Sequence, residues 1–353
     1  INGTSRTVRK PFTVNWVNKN SGIGLPPLPD DCVLYVGDEI SFGPFSYLRA
    51  TVWGDIKTNP SFKGIFYNSN KIVHMTTDGV TPNTIDNSTN LDMEPYRKIK
   101  FPELPVDYEG YKEYSKINTS LTVTTIDQSS YIDDLTIGKL PSLFDQSSGY
   151  PLTINTGNEG ATINLVVENL KVYNDIYIIG NGIANLYVTN SMDFVSTSRG
   201  LTVGGSDSEV DQFNILYSGP NSAYIGKLGH YTDRNIDFKG TIFSQRAAMG
   251  FYNNVELEGI IVTFGNSLKL DYNVNVTAVI YAPDSEVTMY GGSKLNGGLV
   301  ANDVNFYGGL ITDPNTVRYS ALDEYVKQYL FGTGTGETPT LDKLISSQAA
   351  VEP

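Results

Sequence analysis

Apolar and polar positions repeat every nineteen residues between positions 236 and 300. One apolar column holds Phe238, Leu257, Val276 and Leu295. A small-residue column two places later holds Gly240, Gly259, Ala278 and Gly297. A second apolar column then holds Ile242, Ile261, Ile280 and Leu299. Alternation within each line indicates a strand, and a fixed period near twenty indicates a solenoid. The pattern predicts an all-β fold, a right-handed parallel β-helix with about one coil per nineteen residues. An antiparallel sandwich of evenly spaced short strands is the alternative.

The pattern divides the chain into three parts. Residues 1–47 form an irregular N-terminal segment, and residues 48–310 form the solenoid. Within the solenoid, residues 78–120 break the pattern with four prolines and form an excursion that leaves and returns. Tyr108, Tyr111 and Tyr114 lie three residues apart there, which predicts a short helix packing on the solenoid side.

Residues 311–353 are expected to close the solenoid with a capping helix and a tail. Ser320 is a suitable N-cap, and Gly332 a suitable stop. Between them, apolar residues fall on one helical face at Leu322, Tyr325, Val326, Tyr329 and Leu330. Such a cap would cover the unpaired backbone of the last coil.

Composition restricts the classes of function. The net charge is −13, with Lys+Arg 25 against Asp+Glu 38, so a nucleic-acid partner is not expected. Cys32 is the only cysteine and lies in an apolar run, which predicts a small core residue. No stretch is long and apolar enough for a membrane helix, and the chain opens without a Met or a signal peptide, so it reads as a trimmed fragment.

The residues that carry chemistry are few. The only histidines are His74 and His230, so His-based metal or nucleophile sites find little support. We expect no cofactor. The acidic run at 206–211 is a weak candidate for Ca²⁺. Parallel β-helices also host polysaccharide lyases and glycosidases, for which Asp233, Arg234, Asp237 and Lys239 are the candidate residues.

Residues 219–235 and 244–254 are predicted to be loops that project from solenoid corners and carry an interaction surface. The candidate contact residues on these two loops are Tyr224, His230, Tyr231, Arg234, Arg246, Phe251 and Tyr252.

One run is more specific than the periodicity. The segment AVIYAPDSEVTMYGGSKLNGGLVANDVNFYGG at 278–309, followed by VRY at 317–319, resembles the conserved core of the PilX-type, type IV pilus-associated minor pilins. The run VWGDIKTN at 52–59 resembles an early element of the same β-solenoid ectodomain family, and FPELP at 101–105 resembles its proline-rich segment. The repeats also resemble bactofilins, but the long loops and capping helix argue against an end-to-end polymer.

The resemblance implies a non-enzymatic minor subunit of a bacterial type IV pilus, extracellular and exposed at the cell surface, that acts in pilus assembly, at the tip or in adhesion. Its partners would be other pilin subunits and a host or surface glycan or protein. Membrane contact would come only through an N-terminal hydrophobic helix, which this chain lacks. The family offers no catalytic residues to carry over. The alternative is a secreted carbohydrate-active β-helix enzyme, which a cluster of carboxylates in a solenoid groove would favour.

Overall fold

The computed structural model describes residue 26 and residues 32–42, 50–53, 55–58, 72–75, 85–86, 91–105, 108–140, 147–195, 200–204, 212–225, 235–252, 254–307 and 316–318. One short helix is present among them, α1 (Glu94–Arg97). The strands in chain order are β1 (Cys32–Val36), β2 (Ile40–Phe42), β3 (Ala50–Trp53), β4 (Asp55–Thr58), β5 (Ile72–Met75), β6 (Ile85–Asp86), β7 (Lys112–Asn118), β8 (Thr124–Ile126), β9 (Ser130–Ile137), β10 (Leu152–Asn155), β11 (Thr162–Val172), β12 (Ile176–Ile179), β13 (Ile183–Phe194), β14 (Leu201–Val203), β15 (Phe213–Tyr217), β16 (Ala223–Ile225), β17 (Ile236–Ser244), β18 (Met249–Phe251), β19 (Val255–Thr263), β20 (Ser267–Leu270), β21 (Asn275–Tyr290), β22 (Lys294–Tyr307) and β23 (Thr316–Arg318).

Equivalent parts of successive coils pair in parallel into three ladders. Ladder A runs through β8, β10, β12, β14, the first parts of β17, β19, β21 and β22, and then β23, β3 and β5. Ladder B runs through β7, β9, β11, β13, β15, the middle of the long strands, and then β1, β4 and β6. Ladder C runs through the ends of β7, β9, β11 and β13, then β16, β18, β20, the ends of β21 and β22, and β2.

The register that the sequence predicts for residues 236–300 is confirmed. Phe238 aligns with Leu257, Leu257 with Val276, and Val276 with Leu295. All four side chains are buried in one continuous core that follows the solenoid. The fold is therefore an all-β parallel solenoid, and the antiparallel sandwich is rejected.

The backbone conformation explains why the column of small residues contains glycine. Gly240, Gly259 and Gly297 adopt φ values of 155°, 151° and 152°, which L side chains rarely adopt. A Cβ at Gly240 would also lie 2.5 Å from the carbonyl oxygen of Phe213 on the neighbouring coil. Glycine therefore lets the chain pass from ladder A to ladder B at this corner.

The described residues near the N-terminus extend the far end of the solenoid. Strand β1 pairs with β22, with Leu34 opposite Leu299, and β2 pairs with the end of β22, with Ile40 opposite Val304. Strand β23 joins ladder A between β22 and β3. The coil after β22 is thus composite, because β23 supplies its ladder A strand and β1 and β2 supply the others. Residues 32–42, assigned from sequence to an irregular segment, are a regular part of the solenoid.

Residues 91–105, here called the strap, lie along the outside of ladder B. An outward apolar column runs down that ladder through Tyr131, Val166, Tyr187, Leu216, Phe243, Val262, Tyr281, Val300 and Tyr35. Met93, Tyr96 and Ile99 of the strap are buried against this column. The ring of Tyr96 lies 5.3 Å from that of Tyr35, and the ring of Phe101 lies 6.4 Å from that of Phe243. Ladder B is therefore covered on both faces.

The helix predicted from Tyr108, Tyr111 and Tyr114 is wrong. The Tyr111 amide donates to the Tyr108 carbonyl across a turn that contains Gly110 at φ 82°. Strand β7 then begins at Lys112 and pairs with β9. A positive φ and strand pairing override the three-residue spacing. Residues 91–105 of the same excursion pack on the solenoid side as the strap.

Three expectations concern other parts of the chain. The predicted capping helix, from Ser320 to Gly332, lies outside the described residues. In the part of the chain that the structure describes, no helix is both long and apolar enough to cross a membrane. Cys32 is fully buried, which confirms its assignment as a core residue.

Candidate ligand-binding trough on ladder A

Polar side chains line a trough along the outer surface of ladder A. One outward column is formed by Thr202, Asp237, Glu256, Asn275 and Lys294, which align from strand to strand. Two adjoining cavities of about 690 and 600 Å³ share Thr202 and Asp237. They make one elongated depression that extends from the β10 coil to the β22 coil. The trough exists because the strands alternate, with each apolar neighbour of the column turned into the core.

Two carboxylates lie together in this trough. Both oxygens of Asp175 accept hydrogen bonds, one from the Thr202 amide and one from the Tyr177 hydroxyl, each at 2.7 Å. Partial burial, followed by the negative charge of Asp175, raises the pKa of Asp237 above its ordinary range. Two carboxylates are thus present in one cavity, and Asp237 takes up a proton more readily than an ordinary aspartate does.

Exposed tyrosines stand at one end of the trough. Tyr150 is 44% exposed and Tyr177 is 37% exposed. The turn before β10 is held by neighbouring coils, since the Tyr150 amide donates to the Thr119 carbonyl at 2.9 Å. The side-chain amide of Asn174 also donates to the Gly149 carbonyl at 3.0 Å. The aromatic side chains are therefore carried by a rigid part of the solenoid and remain open to solvent.

The other end of the trough carries both signs of charge. The Lys239 ammonium lies 3.6 Å from the Glu258 carboxylate, and the Asn235 side-chain amide donates to Glu256 at 3.1 Å. Amide, hydroxyl, carboxylate and ammonium groups are thus spread along one surface. Such a surface offers donors and acceptors to a ligand rich in hydroxyl groups.

The trough carries Asp and Glu side chains, which are potential ligands of a metal ion. Among the described residues, no group of three or more His, Cys, Asp or Glu side chains is placed to hold one. The calcium candidate at 206–211 lies outside the described residues.

The predicted interaction loops are partly strands. Strand β16 lies within 219–235, and β18 within 244–254, and both belong to ladder C. Phe251 is fully buried in β18, so its assignment as a surface contact is wrong, because its side chain points into the core. Tyr224 and Tyr252 are half-buried on the outside with their rings 5.9 Å apart, and Arg246 is exposed. His230, Tyr231 and Arg234 lie outside the described residues.

The structure describes some of the candidate enzyme residues and not others. Asp237 and Lys239 both line the trough, as the alternation of β17 requires. Asp233 lies outside the described residues. Asp175, Tyr150 and Tyr177 are not among the residues that the sequence pattern indicates. An outward tyrosine between two isoleucines in β12 is a local signal, but its place beside Asp237 depends on irregular coil lengths that only the strand register resolves.

A family model described as Domain of unknown function (DUF7305) matches residues 260–320. The matched segment covers the last regular coils and ends just after β23. No curated protein and no solved structure gives a significant match to the chain.

Proposed function

We propose that the protein is a non-enzymatic, surface-exposed binding subunit whose ladder A trough holds an extended glycan chain. The observation that carries the proposal is the continuous polar trough with exposed Tyr150 and Tyr177 at one end. A sugar ring has apolar faces that stack on tyrosine and hydroxyl groups that bond to the polar columns. Because successive coils are spaced by about 4.8 Å, the trough presents a regular series of such groups.

The wider context of the proposal is the type IV pilus. The run at 278–309 and the elements at 52–59 and 101–105 resemble the minor-pilin ectodomains, and this resemblance supports a role in pilus assembly, at the tip or in adhesion. We also propose that the solenoid is right-handed and that residues 320–331 form its capping helix. Other pilin subunits would then be its partners, at the bacterial surface.

A second candidate function is supported by the carboxylate pair. Asp175 and Asp237 lie in one cavity, and the raised pKa of Asp237 suits a residue that donates a proton. Glycoside hydrolysis uses two carboxyl groups with unlike proton affinities. A carbohydrate-active enzyme is therefore the alternative to a binding subunit.

Affinity electrophoresis in gels that contain single polysaccharides tests the trough. We expect retardation by at least one neutral polysaccharide, and the double variant Tyr150→Ala, Tyr177→Ala should abolish it. Tyr272→Ala is the matched control, because Tyr272 is exposed but lies outside the trough residues. Retardation that survives in the double variant, or its absence with every polysaccharide, would exclude the trough as a glycan site.

The same samples separate binding from cleavage. A binding subunit leaves the retarded polysaccharide without new reducing ends, even after long incubation. New reducing ends that Asp237→Asn removes would establish the enzyme instead. Immunogold labelling of the source cells tests the pilus context, since labelled pili are expected and labelling confined to the medium would contradict it.

A further inference from the structure

A column of tyrosines at the end of ladder C is interrupted by one carboxylate. Phe251, Leu270, Met289 and Phe306 align as inward residues of successive coils. The residues that follow them therefore form the next column, which holds Tyr252, Asp271, Tyr290 and Tyr307. Asp271 thus occupies the place where a tyrosine would continue the series.

The rings on either side of Asp271 each pack against another tyrosine ring. Tyr290 stacks on Tyr307, with ring centroids 5.2 Å apart and an interplanar angle of 25°. The ring of Tyr252 covers Gly250, where a Cβ would meet it at 2.4 Å, and lies 5.9 Å from Tyr224. The Asp271 coil therefore places a carboxylate between the Tyr252 coil and the Tyr290 coil in this column.

A third ring belongs to the residue that follows Asp271. Tyr272 is 53% exposed, and its ring centroid lies 6.2 Å from that of Tyr290 at an angle of 38°. The Tyr272 amide donates to Asp271 Oδ1 at 2.9 Å, and the Asp271 amide donates to the Phe251 carbonyl at 2.9 Å. The carboxylate is thus held by the amide of its own turn, and the backbone of Asp271 is held by the preceding coil.

The electrostatics of this cluster agree with its geometry. Burial raises the pKa of Asp271, and the amide of Tyr272 and the charge of Lys269 oppose that effect. The charge of Asp271 in turn contributes to the raised pKa of Tyr252 and of Tyr290, whose largest cause is burial. The carboxylate therefore acts on the rings of both neighbouring coils.

We propose that Asp271 with Tyr252, Tyr272 and Tyr290 binds an organic ammonium group. Aromatic faces attract cations through their quadrupole, and a carboxylate beside them supplies the opposite charge. The partly buried carboxylate gains from a bound cation, and the net charge of −13 favours the approach of cationic ligands. This site is separate from the trough and does not depend on the glycan proposal.

Two sources could supply the ammonium group, a quaternary ammonium headgroup such as choline or a lysine side chain of a protein partner. Titration calorimetry with choline and with Nα-acetyl-lysine methylamide distinguishes them. Tighter binding of choline assigns a quaternary ammonium ligand, whereas tighter binding of the lysine derivative assigns a protein partner. Either result supports the site.

The control ligand is 3,3-dimethylbutanol, which has the shape of choline without its charge. We expect choline to bind at least about tenfold more tightly than this alcohol. Asp271→Asn and Tyr272→Leu should each weaken choline binding by a similar factor. Tyr108→Leu should leave it unchanged, because Tyr108 is exposed but lies outside both this cluster and the trough. Lys269→Gln should strengthen it, since Lys269 competes for the carboxylate.

Circular dichroism of each variant tests whether it is folded. We expect Tyr272→Leu to fold, because Tyr272 is exposed. Equal binding of choline and the neutral alcohol would overturn the proposal, since the site would then be only apolar. Absence of binding by both cations, or binding that Asp271→Asn and Tyr272→Leu leave unchanged, would overturn it as well.

Discussion

Tyr96→Ala should release the strap from ladder B. Tyr96 is 5% exposed, and its ring lies 5.3 Å from Tyr35 and 6.1 Å from Tyr281. Truncation of a buried aromatic side chain costs about 3–5 kcal/mol, and two ring contacts are lost with it. We take about 3 kcal/mol, because the strap lies at the outside of the solenoid. This corresponds to a roughly 150-fold increase in the open population.

Limited proteolysis measures that population. Arg97, Lys98 and Lys100 are exposed in the strap, and trypsin cleaves there when the strap opens. When opening and closing are fast, the cleavage rate follows the open population. Cleavage of Tyr96→Ala should therefore be about two orders of magnitude faster than that of the natural protein.

The matched control is Glu94→Gln, which keeps every trypsin site. Glu94 is exposed and pairs with Lys98 at 3.4 Å, and an exposed pair of this kind is worth about 0–1 kcal/mol. Its cleavage rate should rise less than about fivefold. If Tyr96→Ala were cleaved no faster than this control, the strap would not be held by its buried tyrosine.

Three other changes test the solenoid. Gly240→Ala should lower the free energy of unfolding by at least about 1–3 kcal/mol in urea denaturation, because the backbone is strained and the new methyl meets the Phe213 carbonyl; an unchanged midpoint would refute this. Asn185→Ala removes two side-chain hydrogen bonds of 2.9 Å, one that Asn185 donates to Asn164 and one that it accepts from Asn214. It should lower the free energy of unfolding by about 1–2 kcal/mol in the same measurement. Asp237→Asn should raise the melting temperature at pH 7. The raised pKa of Asp237 means that the folded state favours its protonated form. The contribution of Asp237 to the free energy of unfolding is therefore fully present below the ordinary pKa and is lost as pH rises through the folded pKa. The difference between the two proteins should therefore shrink on acidification, and a difference that grows would have the wrong sign.

The sequence predicts the regular coils well because their register is local. Phe238, Leu257, Val276 and Leu295 are each separated by one coil, so equal spacing is sufficient to align them. The same reasoning places Asp237 and Lys239 on the outer surface. It does not bring Asp175 to Asp237, because the coils between them differ in length.

The strands of ladder B contain consecutive apolar residues, which a search for alternating positions does not detect. Ile260, Ile261 and Val262 are consecutive and all buried. Unbroken apolar runs are typical of parallel strands covered on both faces, and they predict a covering element outside the solenoid. The identity of that element as the strap depends on contacts that are distant in sequence.

The composite coil has no local signal at all. Leu34 meets Leu299 through backbone pairing that any apolar strand could offer, so only the assembled structure shows which strand occupies the place. The tyrosine spacing at 108–114 fails for a related reason, since a single glycine turn outweighs a helical repeat.

The composite coil also determines when the chain can finish folding. The Glu39 amide donates to the Asp303 carboxylate, a partner 264 residues further along the chain. At a synthesis rate of about 5–20 residues per second, strands β1 and β2 wait roughly 15–50 s on the ribosome before β22 exists. Their apolar residues must remain out of non-native pairings for that time. Strands β1 and β2 are consequently among the last parts of the solenoid to become native, and during this interval they are exposed to aggregation.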